Sequence, residues 1–472
     1  MTTPIDWTSD PLPARDEPWD LLVLGGGTAG IVAAKTAASL GADVVLVERH
    51  RTGGDCLWTG CVPSKSLLHQ AHRPDATSLD FGTAMARVRS AIATIEPIDS
   101  PADLRRNGVT VIHGEGRFAG PNQLTVDGAE VRFRHAVLAT GSAPIVPPIP
   151  GIDGVEALTS DSVWSMTEKP DTFLVVGGGS IGCELGQAFA RFGTKVTLVE
   201  GSARILPRED ADAAAVLHAT LVADGVDVRT GVSVSSFDDT TAVLDDGSRI
   251  SAPVVLVSVG RRPTTADLNL DAAGIGTGER GHVVVDKRLR TSNHRVWAAG
   301  DVTPHPAFTH VAGSHGSQAA TNAFLGLRRA VDLATVPRVT YTQPEVAAFG
   351  VSDEQAGASG LTVRTVRHDD VDRAVVDDLT EGFSRLVLDK KGRIVGATVV
   401  GPRAGESLAE VVLAAKHGLR ARDLASIMHA YPTYADGVAK AALAQLQDDL
   451  TSPWVQRVIR LLGALRRRLH RT

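Results

Sequence analysis

Two cysteines dominate the chemistry open to this chain. Cys56 and Cys61 lie with four residues between them in Gly53-Gly54-Asp55-Cys56-Leu57-Trp58-Thr59-Gly60-Cys61-Val62-Pro63-Ser64-Lys65. Only three cysteines occur in 472 residues, so the pair is no part of a structural disulfide framework. Thiols this close in sequence can form an intramolecular disulfide at the start of a helix, whose N-terminus stabilises a thiolate. Beside a flavin such a pair becomes a two-electron relay. The third cysteine, Cys183, reads as a small buried apolar residue. Trp58, inside the redox loop, either lines an acceptor site or packs beneath the surrounding domain.

A relay needs a cofactor site, and the chain offers two. Residues 20–48 read as strand Asp20 to Leu24, turn, helix Ile31 to Leu40, and strand Asp43 to Val47 closed by Glu48. The turn carries Gly25, Gly27 and Gly30 in GxGxxG spacing. Glycines there let backbone approach a pyrophosphate at a helix N-terminus, and Glu48 can accept from ribose hydroxyls. The same unit recurs at Thr172–Glu200, with Gly177, Gly179 and Gly182 in the turn and Glu200 at the end. Two such units imply two dinucleotides, and the cysteine pair makes one of them FAD. Glu200 favours an unphosphorylated ribose and hence NADH. Arg204 and Arg208 nearby leave NADPH open.

Composition sets the frame. The length calls for three or four subdomains. A net charge of −6 with 22% charged residues argues against nucleic acid as a partner. No apolar run is long enough to span a bilayer. The acidic, Pro-rich start, MTTPIDWTSDPLPARDEPWD, is unlike a signal peptide and reads as a flexible lead. A cytoplasmic location follows, where a close cysteine pair is catalytic rather than structural.

Further motifs carry a family resemblance. They are Ala139-Thr140-Gly141-Ser142 after a strand, Val296-Trp297-Ala298-Ala299-Gly300-Asp301, and Tyr341-Thr342-Gln343-Pro344-Glu345-Val346. In this order, from about residue 18 to 448, the chain resembles the class I pyridine-nucleotide flavin-disulfide oxidoreductases. That group holds glutathione reductase, dihydrolipoamide dehydrogenase and mercuric reductase. The resemblance implies an α/β fold: two Rossmann-type nucleotide-binding domains, for FAD and NAD(P), plus a C-terminal α+β dimerisation domain. It places a flexible lead at 1–17, the FAD domain at 18–155 and 286–335, and the NAD(P) domain at 156–285. A dimerisation domain follows at 336–450 and a basic tail at 451–472. It further implies a homodimer whose active sites are shared between subunits. Cys61 resembles the flavin-proximal thiol, and Cys56 the interchange thiol that meets substrate. Lys65 and Glu184 resemble the ion pair beside flavin N5, and Asp301 the ligand of the ribityl chain. Thr140 and Gly141 mark the passage between the FAD and NAD domains. No resident metal is assigned.

The chain leaves the disulfide-reducing members at His429-Ala430-Tyr431-Pro432-Thr433-Tyr434-Ala435-Asp436. Those members carry His-x-His-Pro-Thr with an acid three residues on, and the second His is the acid/base for the interchange thiol. Tyr431 stands there instead, and a phenol is a poor proton shuttle at neutral pH. The swap argues against efficient reduction of organic disulfides, which needs a departing thiolate to be protonated. Mercuric reductase is similar at this point, since a soft metal ion needs thiolate ligands rather than a base. That enzyme also uses a C-terminal cysteine pair and a small N-terminal metal-binding domain, which this sequence lacks. His429 can orient Tyr431, contact flavin or simply pack. Ser180 stands where glutathione reductase has a gating tyrosine.

The tail, Pro453 to Thr472, reads as a helix. Trp454, Val458, Leu461, Leu462, Leu465 and Leu469 share one face, and six arginines crowd the rest. Such a segment can lie on an anionic membrane as a peripheral contact, or pack on the dimer surface. The leading expectation is an FAD-dependent NAD(P)H oxidoreductase that passes electrons through Cys56 and Cys61 to a small-molecule or metal-ion acceptor. A thiophilic metal ion, a quinone or a small oxidant could fill that role, and mercuric reductase-like members are nearest in motif. The alternatives are a disulfide reductase of the dihydrolipoamide dehydrogenase type and a redox sensor whose cysteine state controls a partner.

Overall fold

The structure is a computed structural model. It describes Ser9, Asp10, Leu12 and residues 15–469. The rest of the acidic lead, and His470, Arg471 and Thr472 of the tail, fall outside the described residues. The chain divides into two units, residues 1–201 with 225–333 and residues 202–224 with 334–472.

In the first unit, unbroken Val/Leu runs make strands that are buried on both faces, as parallel sheets require. β1 (Trp19–Leu24), α1 (Thr28–Ser39) and β2 (Val44–Glu48) form the opening βαβ unit. α2 (Gly54–Trp58) and α3 (Cys61–Ala71) follow, then β3 (Val109–His113) and β4 (Ala129–Leu138). The second set is β5 (Glu156–Thr159), β6 (Thr172–Val176), α4 (Ser180–Arg191), β7 (Lys195–Glu200), β8 (Asp227–Thr230) and β9 (Val254–Val257). β10 (Val296–Ala298) and α5 (Thr309–Leu325) end the unit. The first sheet has seven strands: β3-β2-β1-β4 with β10 also on β4 are parallel, and the sheet continues antiparallel from β4 through Gln123–Val126 to Gly116–Gly120. The second runs β8-β7-β6-β9-β5, again parallel. β10 therefore returns to the first sheet after the whole second sheet has been built. Ala33, Ala34 and Ala37 of α1 share one core with Ala319, Ala320 and Ala323 of α5. A Cβ on Gly316 would overlap the Ala29 carbonyl, so only glycine permits this close crossing.

The second unit carries an antiparallel sheet: β11 (Arg338–Thr340), β12 (Glu345–Gly350), β13 (Thr362–Arg367), β14 (Phe383–Leu388) and β15 (Ile394–Gly401), in the order β11-β12-β15-β14-β13. α6 (Ala404–Lys416) and α7 (Asp436–Thr451) cover it through Leu408, Val411, Val438 and Ala441. Helix Ala211–Ala223 is joined to this sheet by a charge cluster around the buried Arg385 and Asp210. There Arg385 meets Asp210 at 3.4 Å, Asp212 at 2.7 Å and Asp353 at 3.1 Å. α8 (Pro453–Leu469) extends the chain beyond α7 and buries none of its residues.

One expectation is corrected. α1 begins at Thr28, inside the glycine fingerprint, because Gly27 is its N-cap and Thr28-Ala29-Gly30 make its first turn. The part of the lead that is described makes specific contacts through Asp10. The Asp10 carboxylate holds Arg105 at 2.8 Å and accepts from the Val111 N–H at 2.8 Å, which fixes it beside β3.

Candidate active site

The two glycine turns have the same construction. Gly25 and Gly177 sit at φ +107° and +109°, a region that favours glycine. A Cβ on Gly25 would strike the Ala139 carbonyl, and one on Gly177 would lie 2.7 Å from the Ser258 carbonyl oxygen. Gly30 and Gly182 each press on the carbonyl of the first glycine of their own turn. Neither α1 nor α4 has a side-chain N-cap or an acidic residue in its first turn, so no side chain caps either helix end and no carboxylate there would repel an anion. Around Gly179 a Cβ would meet nothing within 4 Å, and at Gly27 it would meet only Gly54 Cα at 3.8 Å. Glu48 Oε2 accepts the Gly26 N–H at 2.6 Å, and Glu200 Oε2 accepts the Gly178 N–H at 2.7 Å. Each carboxylate is thus fixed at the rim of its turn. Open space, uncapped amides and a rim carboxylate are what a dinucleotide needs, so both turns fit the cofactors that their sequences imply. Arg204 does not stand idle, since it pairs with Glu354 at 3.0 Å.

The cysteine loop is built directly on the first turn. The Gly53 N–H donates to the Gly26 carbonyl at 2.9 Å, and a Cβ on Gly54 would lie 2.6 Å from Gly27 Cα. Gly53 and Gly54 turn the chain at φ +104° and +58° into α2, which carries Cys56. Cys61 is the first residue of α3, and its sulfur lies 3.1 Å from the hydroxyl of Thr309, the first residue of α5. Two helix N-termini therefore converge on one sulfur. Both thiols are free in this structure and partly buried. The hydrogen bond from Cys56 is the main cause that lowers Cys61 to about 6; burial opposes it, and the Thr309 hydroxyl and the Lys65 charge assist. The same bond, with burial and the neighbouring charge, pushes Cys56 far above the usual thiol range. The pair thus holds one proton, on Cys56, and one thiolate, on Cys61.

This asymmetry has a pH signature. Cys61 is depressed below an unfolded thiol, so its thiolate favours the folded chain. That contribution is complete above roughly pH 8.5 and lost as pH falls through about 6. Asp55, raised to about 6 by burial despite the opposing Arg261, titrates in the same range. Ultraviolet thiolate absorbance of the reduced protein separates the two. It should rise with a midpoint near pH 6, and a first rise only above pH 8 would contradict the arrangement.

Lys65 Nζ, on α3, meets Glu184 Oε2, on α4, at 2.9 Å. Glu184 is 5% exposed, and its carboxylate is matched by this ammonium. The pair joins the two βαβ units beside the cysteine helix. Cys183, next to Glu184, is fully buried, and burial raises its thiol. Trp58 packs rather than lining an opening: its Nε1 donates to the Thr52 carbonyl at 2.8 Å, and the Arg51 guanidinium lies 3.7 Å from its ring centre.

One group escaped the sequence reading. Arg261 donates to Ser142 Oγ and the Ser142 carbonyl, each at 2.8 Å, and it pairs with Asp55 and with Asp161. Ser142 Oγ in turn donates to Asp301 Oδ2 at 2.9 Å. Thr140 Oγ1 donates to the Thr264 carbonyl at 2.8 Å, and the Thr264 N–H returns to the Gly141 carbonyl at 3.0 Å. Arg261 thereby ties the cysteine loop, the chain crossing at Thr140-Gly141 and Asp301 together. The clue available in sequence was Gly260-Arg261-Arg262-Pro263, a charged turn that closes a strand.

In the second unit Tyr431 is 72% exposed, and its hydroxyl donates to Asp372 Oδ2 at 2.6 Å. That bond raises the phenol above its usual range, which weakens it further as a proton shuttle. His429 does not touch Tyr431 through its ring nitrogens. Its Nε2 lies 3.1 Å from Glu410 Oε2 and its Nδ1 3.1 Å from the Ile427 carbonyl.

Comparison with known proteins agrees with this construction. Residues 19–316 match the family model for pyridine nucleotide-disulphide oxidoreductases, and residues 336–442 match that family's dimerisation domain. A mercuric reductase of Streptomyces lividans is 36% identical over 454 residues, covering 90% of this chain and 95% of that relative. A dihydrolipoyl dehydrogenase of Geobacillus stearothermophilus is 36% identical over 449 residues, with coverage of 90% and 95%. Among solved structures, a Cu(II) complex of the HOCl-induced flavoprotein disulfide reductase RclA from Escherichia coli superposes with a TM-score of 0.82 at 29% identity, covering 91% of this chain and 99% of that one. The dimerisation match supports a homodimer. The chain belongs to the pyridine nucleotide-disulphide oxidoreductases, FAD-dependent enzymes that use NAD(P)H.

Proposed function

We propose that this protein is a cytoplasmic NADH-dependent reductase of thiophilic metal ions, working through Cys56 and Cys61. The observation that carries the reading is Tyr431, a carboxylate-bound phenol at the motif position where the disulfide-reducing members carry their proton-shuttling base; Cys61 separately offers a thiolate. Two adjacent sulfurs bind a soft cation without a general base. FAD bound at the first turn would supply two-electron storage, and NADH bound at the second would supply hydride. The remaining work falls to the chain. The uncapped end of α1 would hold the FAD pyrophosphate and Glu48 its ribose, and Asp301, held by Ser142, would take the ribityl chain. The Glu200 carboxylate would accept from an unphosphorylated ribose and repel a 2′-phosphate. Lys65, held by Glu184, keeps a positive charge beside the thiolate. Cys56 gives up its proton as both sulfurs ligate the metal. Overall, NADH and a divalent cation become NAD⁺, a proton and the metal reduced by two electrons.

A second reading rests on the His429–Glu410 contact, a histidine–carboxylate pair two residues from Tyr431. It would serve a disulfide substrate as in the dihydrolipoyl dehydrogenases. Steady-state NADH oxidation with Hg(II) in excess thiol, beside lipoamide and glutathione disulfide, separates the two. The metal reading expects turnover with Hg(II), little with either disulfide, and a change of less than about twofold in Tyr431→Phe, because no proton passes through that phenol. Lipoamide turnover that His429→Ala abolishes would replace it with the second reading.

A further inference from the structure

We infer that α8 is a peripheral membrane anchor which lies in the plane of an anionic lipid surface. The residues facing solvent carry the argument. Trp454 is 73% exposed, Leu461 65%, Leu462 61% and Leu465 58%, and no residue of the helix is buried. At helical spacing these four and Val458 fall within about a third of the circumference. Arg457, Arg460, Arg466, Arg467 and Arg468 occupy the flanks and the opposite side, and residues 453–469 contain no acidic residue. An apolar arc with a tryptophan, bordered by arginines, is the pattern of a helix sunk into the headgroup region.

The junction gives this helix its own direction. α7 ends at Thr451; the extended backbone of Ser452 (φ −59°, ψ 140°) breaks the helical path, and Pro453 opens α8. Crossing the bilayer is excluded among the described residues, since no helix is long and apolar enough. A helix of this length, about 25 Å, fits along the surface instead.

Charge selects the occupant. A second copy of the same helix would set five arginines against five arginines with no carboxylate between them. An anionic lipid surface pairs all of them at once while it takes up the apolar arc. Because α8 contributes nothing to the core, its removal leaves the unit's sheet and covering helices intact.

The test is co-sedimentation of the full chain with vesicles of phosphatidylglycerol and phosphatidylcholine, and with phosphatidylcholine alone. The full chain should pellet with the anionic vesicles and remain in solution with the zwitterionic ones. Each arginine at such a surface is worth roughly a factor of five in affinity, so R466A/R467A/R468A should weaken binding about a hundredfold. L461S/L462S/L465S should also release the protein, and NADH oxidation in solution should be unchanged in both variants. Equal pelleting of the full chain and a chain ending at Ser452 would overturn the proposal. So would tail-dependent self-association beyond the dimer in sedimentation velocity without vesicles, since that would name a second copy as the occupant.

Discussion

Replacing Cys61 by serine stops turnover with every acceptor that needs the dithiol, by at least about 10³-fold, the scale on which loss of a nucleophile acts. NADH still bleaches the flavin in this variant, because the change touches neither glycine turn. The reason lies in the pair's asymmetry. Cys61 alone stands at the convergence of two helix N-termini, and a serine hydroxyl cannot ionise there at neutral pH. Cys56→Ser behaves differently. Its hydroxyl still donates to the Cys61 thiolate, so the thiolate midpoint stays near pH 6 while turnover is lost. Rapid-mixing absorbance for the flavin and steady-state NADH oxidation for the acceptor read the two steps apart. If Cys61→Ser kept more than about a tenth of the wild-type acceptor rate, electrons would be leaving the flavin directly and the relay would be wrong.

The second large effect separates the two cofactor sites. Gly25→Ala should yield protein without FAD, because its Cβ meets the Ala139 carbonyl and the residue is held at φ +107°. Gly177→Ala faces the same strain at φ +109° against Ser258 but leaves the first turn alone. It should purify yellow, with full flavin content, and its KM for NADH should rise at least about tenfold, a loss of some 1.4 kcal/mol in binding. Flavin absorbance per chain and NADH saturation curves check both. A yellow Gly25→Ala protein with normal activity would show that the first turn does not hold the flavin.

What could be read from the sequence was what is local. The doubled strand–turn–helix–strand, the rim carboxylates Glu48 and Glu200, and the cysteines at a helix start are each fixed within a few dozen residues. Spacing therefore reveals them. Lys65 and Glu184 lie 119 residues apart and were found only through resemblance, since their meeting depends on α3 packing against α4. The Arg261 network was not legible, because Asp55, Ser142 and Asp301 come from three separate segments that no periodicity connects. The same holds for Thr309 beside Cys61, separated by 248 residues, and for His429 turning to Glu410 rather than Tyr431. The contacts of Asp10 were hidden for a related reason: its partners, Arg105 and the Val111 amide, lie about a hundred residues away.

The two glycine turns repeat each other closely, with rim carboxylates accepting amide protons at 2.6 and 2.7 Å. One difference separates them. The Gly53–Gly54 loop is fastened to the first turn alone, through Gly26 and Gly27. In terms of construction the fold uses one glycine turn twice and attaches its cysteine pair to a single copy. What sets the two copies apart therefore lies outside the fingerprints themselves, in a two-glycine splice beside one of them.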